Sequence, residues 1–288
     1  MLWQRRRRSG NIEDRRGSGR RGLRIGAAGG LGGLGLVAVL VIGMLLGVDP
    51  GVLLNGLGGA PERARAPAGP RPAQEERLAD FVSVVLADTE DSWTALFERR
   101  GRDYEEPTLV LFDGAVRSGC GTAGAETGPF YCPADRRIYL DLSFFAALDR
   151  RLGAPGDFAQ AYVVAHEVGH HVQNLLGVAG AVQARRQQVA AREGNRLSVL
   201  LELQADCFAG LWAHHAQRTR ALLEEGDIEE GMNAASAIGD DRLQRRAGGG
   251  VDPDSFTHGS SAERVRWFER GWREGTLEAC DTFGAAGS

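Results

Sequence analysis

The sequence predicts an α+β fold, mostly helical with a small β-sheet, placed after one N-terminal transmembrane helix. Three observations support this prediction: an uncharged run near the N-terminus, long stretches with apolar residues at helical spacing, and a few short β-prone stretches between them. With 288 residues, of which 43% are hydrophobic and 25% charged, the chain can form one sizeable folded domain with appendages.

The uncharged run covers residues 25–48, and 24 residues are enough to cross a bilayer as a helix. Residues 1–24 contain nine Arg against two acidic residues, a net charge of +7, so the total of −4 leaves −11 for residues 25–288. The positive-inside rule then predicts a single-pass protein of the cytoplasmic membrane, with a basic cytoplasmic tail and an extracytoplasmic domain. A cleaved signal peptide, with a weak cleavage site at residues 58–60, is the alternative.

Two pairs of small residues in this run, Gly29 with Gly33 and Gly43 with Gly47, have the spacing that lets membrane helices pack closely. A homo-oligomer through the membrane helix is therefore a further expectation. Nucleic acid is not an expected partner, because the acidic body of the chain has no basic stripe.

Residues 49–76 are rich in Pro, Gly, Ala and Arg and predict a flexible linker. Residues 77–283 then form the main domain, with folded structure expected from about Gln74. Apolar residues at helical spacing run from Leu78 towards Phe97 and predict its first helix. Three β-prone stretches follow, the last two joined by a turn: Thr108–Phe112, Gly128–Cys132 and Arg137–Leu142. An exposed strand edge could pair with an extended peptide, but the pattern does not say which strand lies at the edge.

A helix is predicted to begin at Asp157, which has capping-box spacing to Gln160, and to end near Gly177. It carries the pattern H-E-x-x-H from His166 to His170. Because an α-helix has 3.6 residues per turn, the two histidines lie one turn apart on one face. Two imidazoles in this position can supply two of the three protein ligands of a catalytic zinc ion, and Glu167 can act as general base beside it.

The third ligand is sought first in the same helix. The metzincin pattern would require Gly at position 173 and His at position 176, whereas this chain has Gln173 and Leu176. The remaining source is a carboxylate from another helix.

Another predicted helix, Leu197–Arg218, carries Glu202 and Asp206 on one face. Glu202 can bind the same single Zn²⁺, and Asp206 can accept the outward N–H of a ligand histidine and fix its tautomer. His171, His214 and His215 are expected to be structural, because helix geometry takes them away from the metal.

The four cysteines are Cys120, Cys132, Cys207 and Cys280, and no two of them form a C-x-x-C pair. In an exported domain they predict two disulfides. We prefer the pairing of Cys120 with Cys132 and of Cys207 with Cys280, because the first pair closes a short Gly-rich loop. Three pairings remain open, as do four buried thiols.

At this point the sequence resembles the gluzincin metallopeptidases and, more closely, the YpfJ-type neutral zinc metallopeptidases. The resemblance covers nearly the whole chain except the linker. Its motifs are Trp3, Asn11–Gly17, Ser118–Gly121, Gly128–Pro133, Ile138–Leu142, His166–His170, Glu202–Cys207 and Phe256–Ser261. It implies that the main domain, residues 77–283, is a membrane-tethered zincin-like domain, and it does not define a substrate.

The C-terminal segment adds one candidate residue. Ser260 and Glu263 have capping-box spacing, so His258 should lie just before a helix. Thr257-His258 followed by Arg264 is similar to an element of HtpX-type membrane peptidases. That resemblance implies a catalytic role for His258, as a neutral imidazole that donates a hydrogen bond to the substrate carbonyl oxygen. A histidine that orders its own loop is the alternative.

The resulting hypothesis is a membrane-anchored zinc metalloendopeptidase that cleaves a peptide or protein substrate. The alternative is a non-catalytic, zinc-stabilised scaffold or chaperone-like membrane protein. A structural zinc site usually has four protein ligands, whereas this sequence offers three ligands and a separate glutamate.

Overall fold

In the computed structural model, which describes residues 1–17 and 71–286, the helices surround a small mixed sheet. The strands of the structure are β1 (Ile12–Asp14), β2 (Thr108–Phe112), β3 (Ala115–Ser118), β4 (Gly121–Gly124), β5 (Phe130–Cys132) and β6 (Arg137–Asp141). Its α-helices are α1 (Ala73–Glu98), α2 (Ser143–Arg150), α3 (Asp157–Leu175), α4 (Val178–Arg186), α5 (Ala191–Arg220), α6 (Asp227–Ala237), α7 (Asp240–Arg246), α8 (Ser261–Glu274) and α9 (Thr282–Ala285).

The main sheet has the strand order β1-β2-β6-β5. β1 and β6 both run parallel to β2, whereas β5 pairs antiparallel with β6, so that Tyr131 lies opposite Ile138. The predicted hairpin between the second and third β-prone stretches is confirmed. The central strands β2 and β6 are nearly continuous buried runs, as expected for strands covered on both faces. β3 and β4 form a separate antiparallel pair.

Strand β1 was not predicted, because three residues are too short for a sequence pattern. It is fixed by polar contacts with α1. Glu90, which is buried, accepts hydrogen bonds from the side chains of Ser9 at 2.5 Å and Asn11 at 2.9 Å. Arg16, also buried, pairs with Glu75 of α1 at 3.0 Å. The polar motif Asn11–Gly17 is therefore part of the fold.

The predicted membrane topology is wrong. No helix within residues 1–17 and 71–286 is both long and apolar enough to cross a membrane, and the predicted span 25–48 lies outside these described residues. Strand β1 precedes that span in sequence and β2 follows it, yet the two strands pair in one sheet. Hydrogen-bonded strands cannot lie on opposite sides of a bilayer. The predicted fold class is therefore corrected to a mixed helical structure with a small sheet, and the single-pass location falls with it.

Three other predictions about the first 76 residues involve the part of the chain that is not described. The small-residue pairs at Gly29/Gly33 and Gly43/Gly47, and most of the predicted linker 49–76, lie outside the described residues. Residues 73–76 form the first turn of α1.

Helix α3 begins at Asp157 as predicted, but the capping box does not form. The Asp157 carboxylate instead pairs with the terminal ammonium of Met1 at 3.0 Å. The backbone N–H of Phe158 donates to Glu230, at 3.0 Å. At the other end, Gly177 adopts a left-handed conformation with φ of 78°, which glycine tolerates without strain.

Two close helix contacts depend on glycine. A Cβ at Gly169 in α3 would lie 3.0 Å from the backbone oxygen of Ala205 in α5, so glycine lets these helices approach. Where α8 crosses α5, a Cβ at Gly271 would lie 2.0 Å from the Cys207 oxygen, and one at Gly210 would lie 2.0 Å from the Phe268 oxygen. These contacts place α3, α5 and α8 side by side.

The cysteines form the preferred pairs, Cys120–Cys132 and Cys207–Cys280. The first disulfide joins the loop between β3 and β4 to the end of β5. The second joins α5, directly after Asp206, to the C-terminal segment. The prediction of two disulfides with this connectivity is confirmed.

Candidate metal centre

The H-E-x-x-H motif lies in the second half of α3, and the hydrogen bonds of its histidines fix how each ring faces. Nδ1 of His166 lies 2.9 Å from Oδ1 of Asp206, and Nδ1 of His170 lies 2.9 Å from Oε1 of Gln173. Since both partners are acceptors, the neutral rings carry their protons on Nδ1. The lone pairs on both Nε2 atoms are then available for a metal.

Glu202 approaches from α5, and its carboxylate lies between the two rings. Oε2 is 3.2 Å from Nε2 of His166, and Oε1 is 3.5 Å from Nε2 of His170. Zinc bound tetrahedrally at bond lengths of about 2.0–2.1 Å separates neighbouring ligand atoms by about 3.3 Å. The three side chains therefore have the spacing and the N/O donor set that zinc requires.

Asp206 is fully buried and anchors His166 within a charged network. Besides His166, its carboxylate accepts hydrogen bonds from Nε of Arg264 at 2.8 Å, from Nη2 of Arg264 at 2.9 Å, and from the Tyr162 hydroxyl. Arg264 is itself 2% exposed. A buried carboxylate is stable only when its charge is compensated, and the two-pronged contact with the guanidinium provides this.

Gln173 is the equivalent anchor for His170, but it is neutral. Its amide nitrogen donates to the Leu201 backbone oxygen at 2.6 Å and to Oε1 of Gln204 at 3.1 Å, both in α5. Gln173 is fully buried. Its amide orientation is therefore fixed by α5, and the oxygen is left facing His170.

Glu167 lines the same cleft but does not take part in these networks. It is 8% exposed, and its Oε2 is one of the few buried side-chain atoms among the described residues without a hydrogen-bond partner. An unpaired buried carboxylate oxygen is costly unless another group uses it. Glu167 thus leaves one buried oxygen without a protein partner in the cleft that the two histidines also line.

The charges at the centre favour proton or cation binding. Burial alone would lower the pKa of His166, but the Asp206 and Glu202 carboxylates outweigh it and raise the pKa to about 10. For Glu202, burial opposes ionisation, yet the two histidines hold its pKa well below the usual range. Two carboxylates facing two imidazoles thus form a site with a strong demand for positive charge.

His258 also lines this cleft, from the loop between α7 and α8, and half of its side chain is exposed. Its Nδ1 is 3.2 Å from Oδ1 of Asp240, whose Oδ2 accepts the backbone N–H of Thr257 and of His258 at 2.7 Å. Asp240, which sequence reasoning missed, therefore orders this loop. The predicted capping box of Ser260 and Glu263 is present.

The other histidines are held away from the metal ligands. His214 contacts the Trp272 backbone oxygen at 2.7 Å, and His215 contacts that of Gly275 at 3.1 Å. His171 is buried and contacts Tyr131 and the backbone of Glu105.

The cleft in front of the centre has a volume of about 520 Å³. One wall is the β5 region, and the opposite wall comes from α5, α7 and the His258 loop. Its apolar lining consists of Pro129, Phe130, Tyr131, Pro133, Phe144, Val163, Ala179, Leu201, Ile238 and Leu243. The acidic and basic side chains that line it are the three candidate ligands, Glu167, His258 and Arg264, which is paired with Asp206. The cleft thus combines one polar centre with apolar walls, as ligand sites commonly do.

This geometry defines a candidate zinc-hydrolase centre, and the comparison with known proteins identifies the class. Residues 1–283 match the family described as "Putative neutral zinc metallopeptidase", so the chain belongs to this zinc metallopeptidase family. It is 49% identical to YpfJ of Escherichia coli (strain K12) over 290 residues, with 99% of both chains covered.

More distant relatives match over most of the chain. The chain is 42% identical over 256 residues to Rv2575 of Mycobacterium tuberculosis and to Mb2605 of Mycobacterium bovis, which covers 84% of this chain and 85% of each relative. All of these relatives are named as uncharacterized proteins. No solved structure matches the chain. The family implies zinc, whereas the roles of the individual residues and the number of ions stay predictions.

Proposed function

We propose that this protein is a gluzincin-type peptidase in which His166, His170 and Glu202 bind one zinc ion. The observation that carries the proposal is the convergence of two Nε2 atoms and one carboxylate at 3.2 and 3.5 Å, beside the unpaired Oε2 of Glu167. Zinc bound there would act as a Lewis acid, which polarises the scissile carbonyl and acidifies water.

Glu167 acts as the general base and then as the general acid. Its carboxylate takes a proton from the water that attacks the peptide carbonyl. When the C–N bond breaks, it passes this proton to the departing amine nitrogen. The free Oε2 supports this role, because no donor among residues 1–17 and 71–286 competes for the oxygen that must receive the proton.

His258 stabilises the negative charge that develops on the carbonyl oxygen. The Asp240 carboxylate beside Nδ1 favours a proton on that nitrogen, so Nε2 carries a proton only in the charged ring. The hydrogen bond to Asp240 raises the pKa of His258, which favours this charged form. The donor is then an imidazolium rather than the neutral ring expected from sequence.

A peptide is the substrate that the cleft suits best. Within the described residues no strand pairs with the second edge of β5, and β5 forms part of the cleft wall. An extended peptide can pair with such an edge through main-chain hydrogen bonds. The apolar walls would accept apolar side chains on either side of the scissile bond.

The decisive experiment pairs two glutamate variants. Glu167→Gln should lower the rate of peptide-library cleavage by about 10²–10⁴-fold, the usual contribution of a general base, while zinc content stays at the wild-type level. Glu202→Gln should lose both zinc and activity, because it removes a ligand. Zinc is measured by elemental analysis of the purified proteins.

Two results would count against the proposal. A wild-type rate in Glu167→Gln would remove the base role. Zinc bound by a wild-type protein that cleaves no member of the library would favour the scaffold or chaperone-like alternative.

A further inference from the structure

Strand β5 is held against the metal-binding helix by a side-chain contact that the proposed mechanism does not use. The Tyr131 hydroxyl lies 3.1 Å from Nδ1 of His171 and accepts a hydrogen bond from Nδ2 of Asn174 at 3.0 Å. Among the described residues, these are the two hydrogen bonds between β5 and α3. We call the three side chains the tyrosine latch.

The direction of each hydrogen bond follows from the next partner. Nε2 of His171 lies 2.6 Å from the Glu105 backbone oxygen, which can only accept, so this nitrogen carries the proton. In the neutral ring Nδ1 is then an acceptor, and the Tyr131 hydroxyl donates to it. The hydroxyl thus gives one hydrogen bond and receives one, and both are fixed in direction.

The tyrosine latch connects β5, which forms one wall of the cleft, to α3, which carries two of the candidate metal ligands. His171 follows His170 in sequence, about 100° further round the helix, and Asn174 lies one turn beyond His170. The same two turns of α3 therefore carry both a candidate zinc ligand and the two residues that hold Tyr131. Tyr131 itself lines the cleft.

The other contacts of β5 tie it to the sheet rather than to α3, since Phe130 stacks on Tyr139 of β6 and the buried Cys132 packs with residues of β2, β3 and β6. The strand has three residues and pairs with one neighbour, β6, over three residue pairs. Its end is joined by a disulfide to the loop between β3 and β4, in which Cys120 is exposed. A short edge strand with one partner is weakly fixed by its ladder alone. The tyrosine latch supplies the missing constraint towards α3.

We propose that Tyr131, held by His171 and Asn174, is a positioning residue that sets the distance between the substrate-binding edge of β5 and the metal ligands. This rests on the proposed peptidase function. A peptide paired with β5 would present its scissile carbonyl correctly only when the strand is held at this distance. Misplacement of the reacting groups by about 1 Å is enough to cost much of the rate.

The test compares two probes of different length. Dye-quenched casein is long enough to pair with β5, whereas a blocked Gly-Leu dipeptide amide covers only the scissile bond. In Tyr131→Phe, kcat for casein should fall about tenfold with little change in KM, and the rate with the dipeptide should stay within about twofold. Asn174→Leu should act in the same direction with a smaller loss.

Two matched variants control for the loss of a hydroxyl. Tyr139→Phe removes a hydroxyl in neighbouring β6 that bonds Asp135 at 2.7 Å, and Tyr104→Phe removes a buried hydroxyl with no partner among the described residues. Both should leave the two rates unchanged. Zinc content and melting temperature are measured for every variant, so that loss of the fold is recognised.

The outcomes separate the latch from the peptidase function. If the wild type cleaves both probes and Tyr131→Phe lowers both rates equally, or neither, the positioning role is overturned and the peptidase proposal stands. If the wild type cleaves neither probe, the peptidase proposal fails and the latch fails with it.

Discussion

The two candidate ligand histidines each have an acceptor 2.9 Å from Nδ1, but the two acceptors differ in charge. His166 is held by a buried carboxylate, Asp206, whose charge is balanced by Arg264 from α8. His170 is held by a neutral amide, Gln173, which is fixed by backbone and side-chain atoms of α5. One imidazole therefore depends on a balance of buried charges, and the other depends on neutral hydrogen bonds.

This difference has a physical consequence. A carboxylate makes its histidine a more basic and stronger metal ligand, but the buried charges must be paired for the fold to tolerate them. An amide orients the ring without adding charge. Loss of the carboxylate that holds His166 should therefore lower both metal affinity and stability strongly. Loss of the amide that holds His170 should lower both quantities less.

The largest expected effect comes from breaking the charged side. Asp206→Asn leaves the Arg264 guanidinium buried without a counter-charge, so we expect a loss of about 3–5 kcal/mol in the free energy of unfolding. Zinc affinity should fall by about 10–100-fold, because His166 loses its orienting carboxylate. Urea unfolding and competition with a zinc chelator measure the two quantities.

Asp88 provides the matched control. It is another buried carboxylate paired with an arginine, Arg220, at 2.6 Å, and it accepts the Trp212 N–H at 2.9 Å. Asp88→Asn should destabilise the protein and leave its zinc affinity unchanged. A similar loss of zinc affinity in both variants would mean that the Asp206 effect is only a general effect on stability.

Breaking the neutral side should cost less. Gln173→Leu removes the partner of His170 Nδ1 and the donor to Oε1 of Gln204 but strands no charge, so we expect a loss of about 1–3 kcal/mol in unfolding free energy. Zinc affinity should fall by no more than about tenfold, below the effect of Asp206→Asn. The same unfolding and chelator measurements apply.

Thr282→Val is the control for this variant, because Thr282 is buried and its hydroxyl donates to the Leu200 backbone oxygen at 2.7 Å without touching an imidazole. It should affect stability alone. If Gln173→Leu lowers zinc affinity more than Asp206→Asn does, the proposed ranking of the two sides is reversed.

The contrast also shows what sequence can predict. Helix periodicity alone aligned His166 with His170, and Glu202 with Asp206, because each pair is one turn apart within a single helix. Gln173 could have been found in the same way, since it lies three residues after His170 on the same helix. Local spacing carries information about contacts within a helix.

The partner of Asp206 could not be predicted in this way. Arg264 is 58 residues away in sequence, and its contact depends on where α8 crosses α5. That crossing is set by the glycine contacts at Gly210 and Gly271, for which a single sequence has no distinguishing signal. The membrane topology failed for the same reason, because it was based on the local run 25–48, whereas the pairing of β1 with β2 is non-local.

The smallest expected effect comes from a second carboxylate–imidazole pair that is exposed rather than buried. The hydrogen bond to Asp240 raises the pKa of His258, burial lowers it, Glu202 raises it and Arg264 lowers it, with a net increase above the ordinary value of about 6.5. Because the pKa is higher in the folded state, the pair stabilises the protein fully below the unfolded pKa. This stabilisation is lost as the pH rises through the folded pKa.

Urea unfolding of metal-free wild type and His258→Gln at pH 5.5 and pH 8.5 tests the direction of this pH dependence of stability. The stability advantage of the wild type should be larger at pH 5.5, by less than about 1 kcal/mol, since solvent screens a half-exposed pair. The other titrating groups are present in both proteins, and both pH values lie above the range in which Asp240, the partner of His258, takes up its proton. An advantage that grows towards pH 8.5 would mean that His258 is held as a neutral ring. The Asp240–His258 pair would then contain a neutral imidazole, and the role of a charged His258 in stabilising the oxyanion would lose its support.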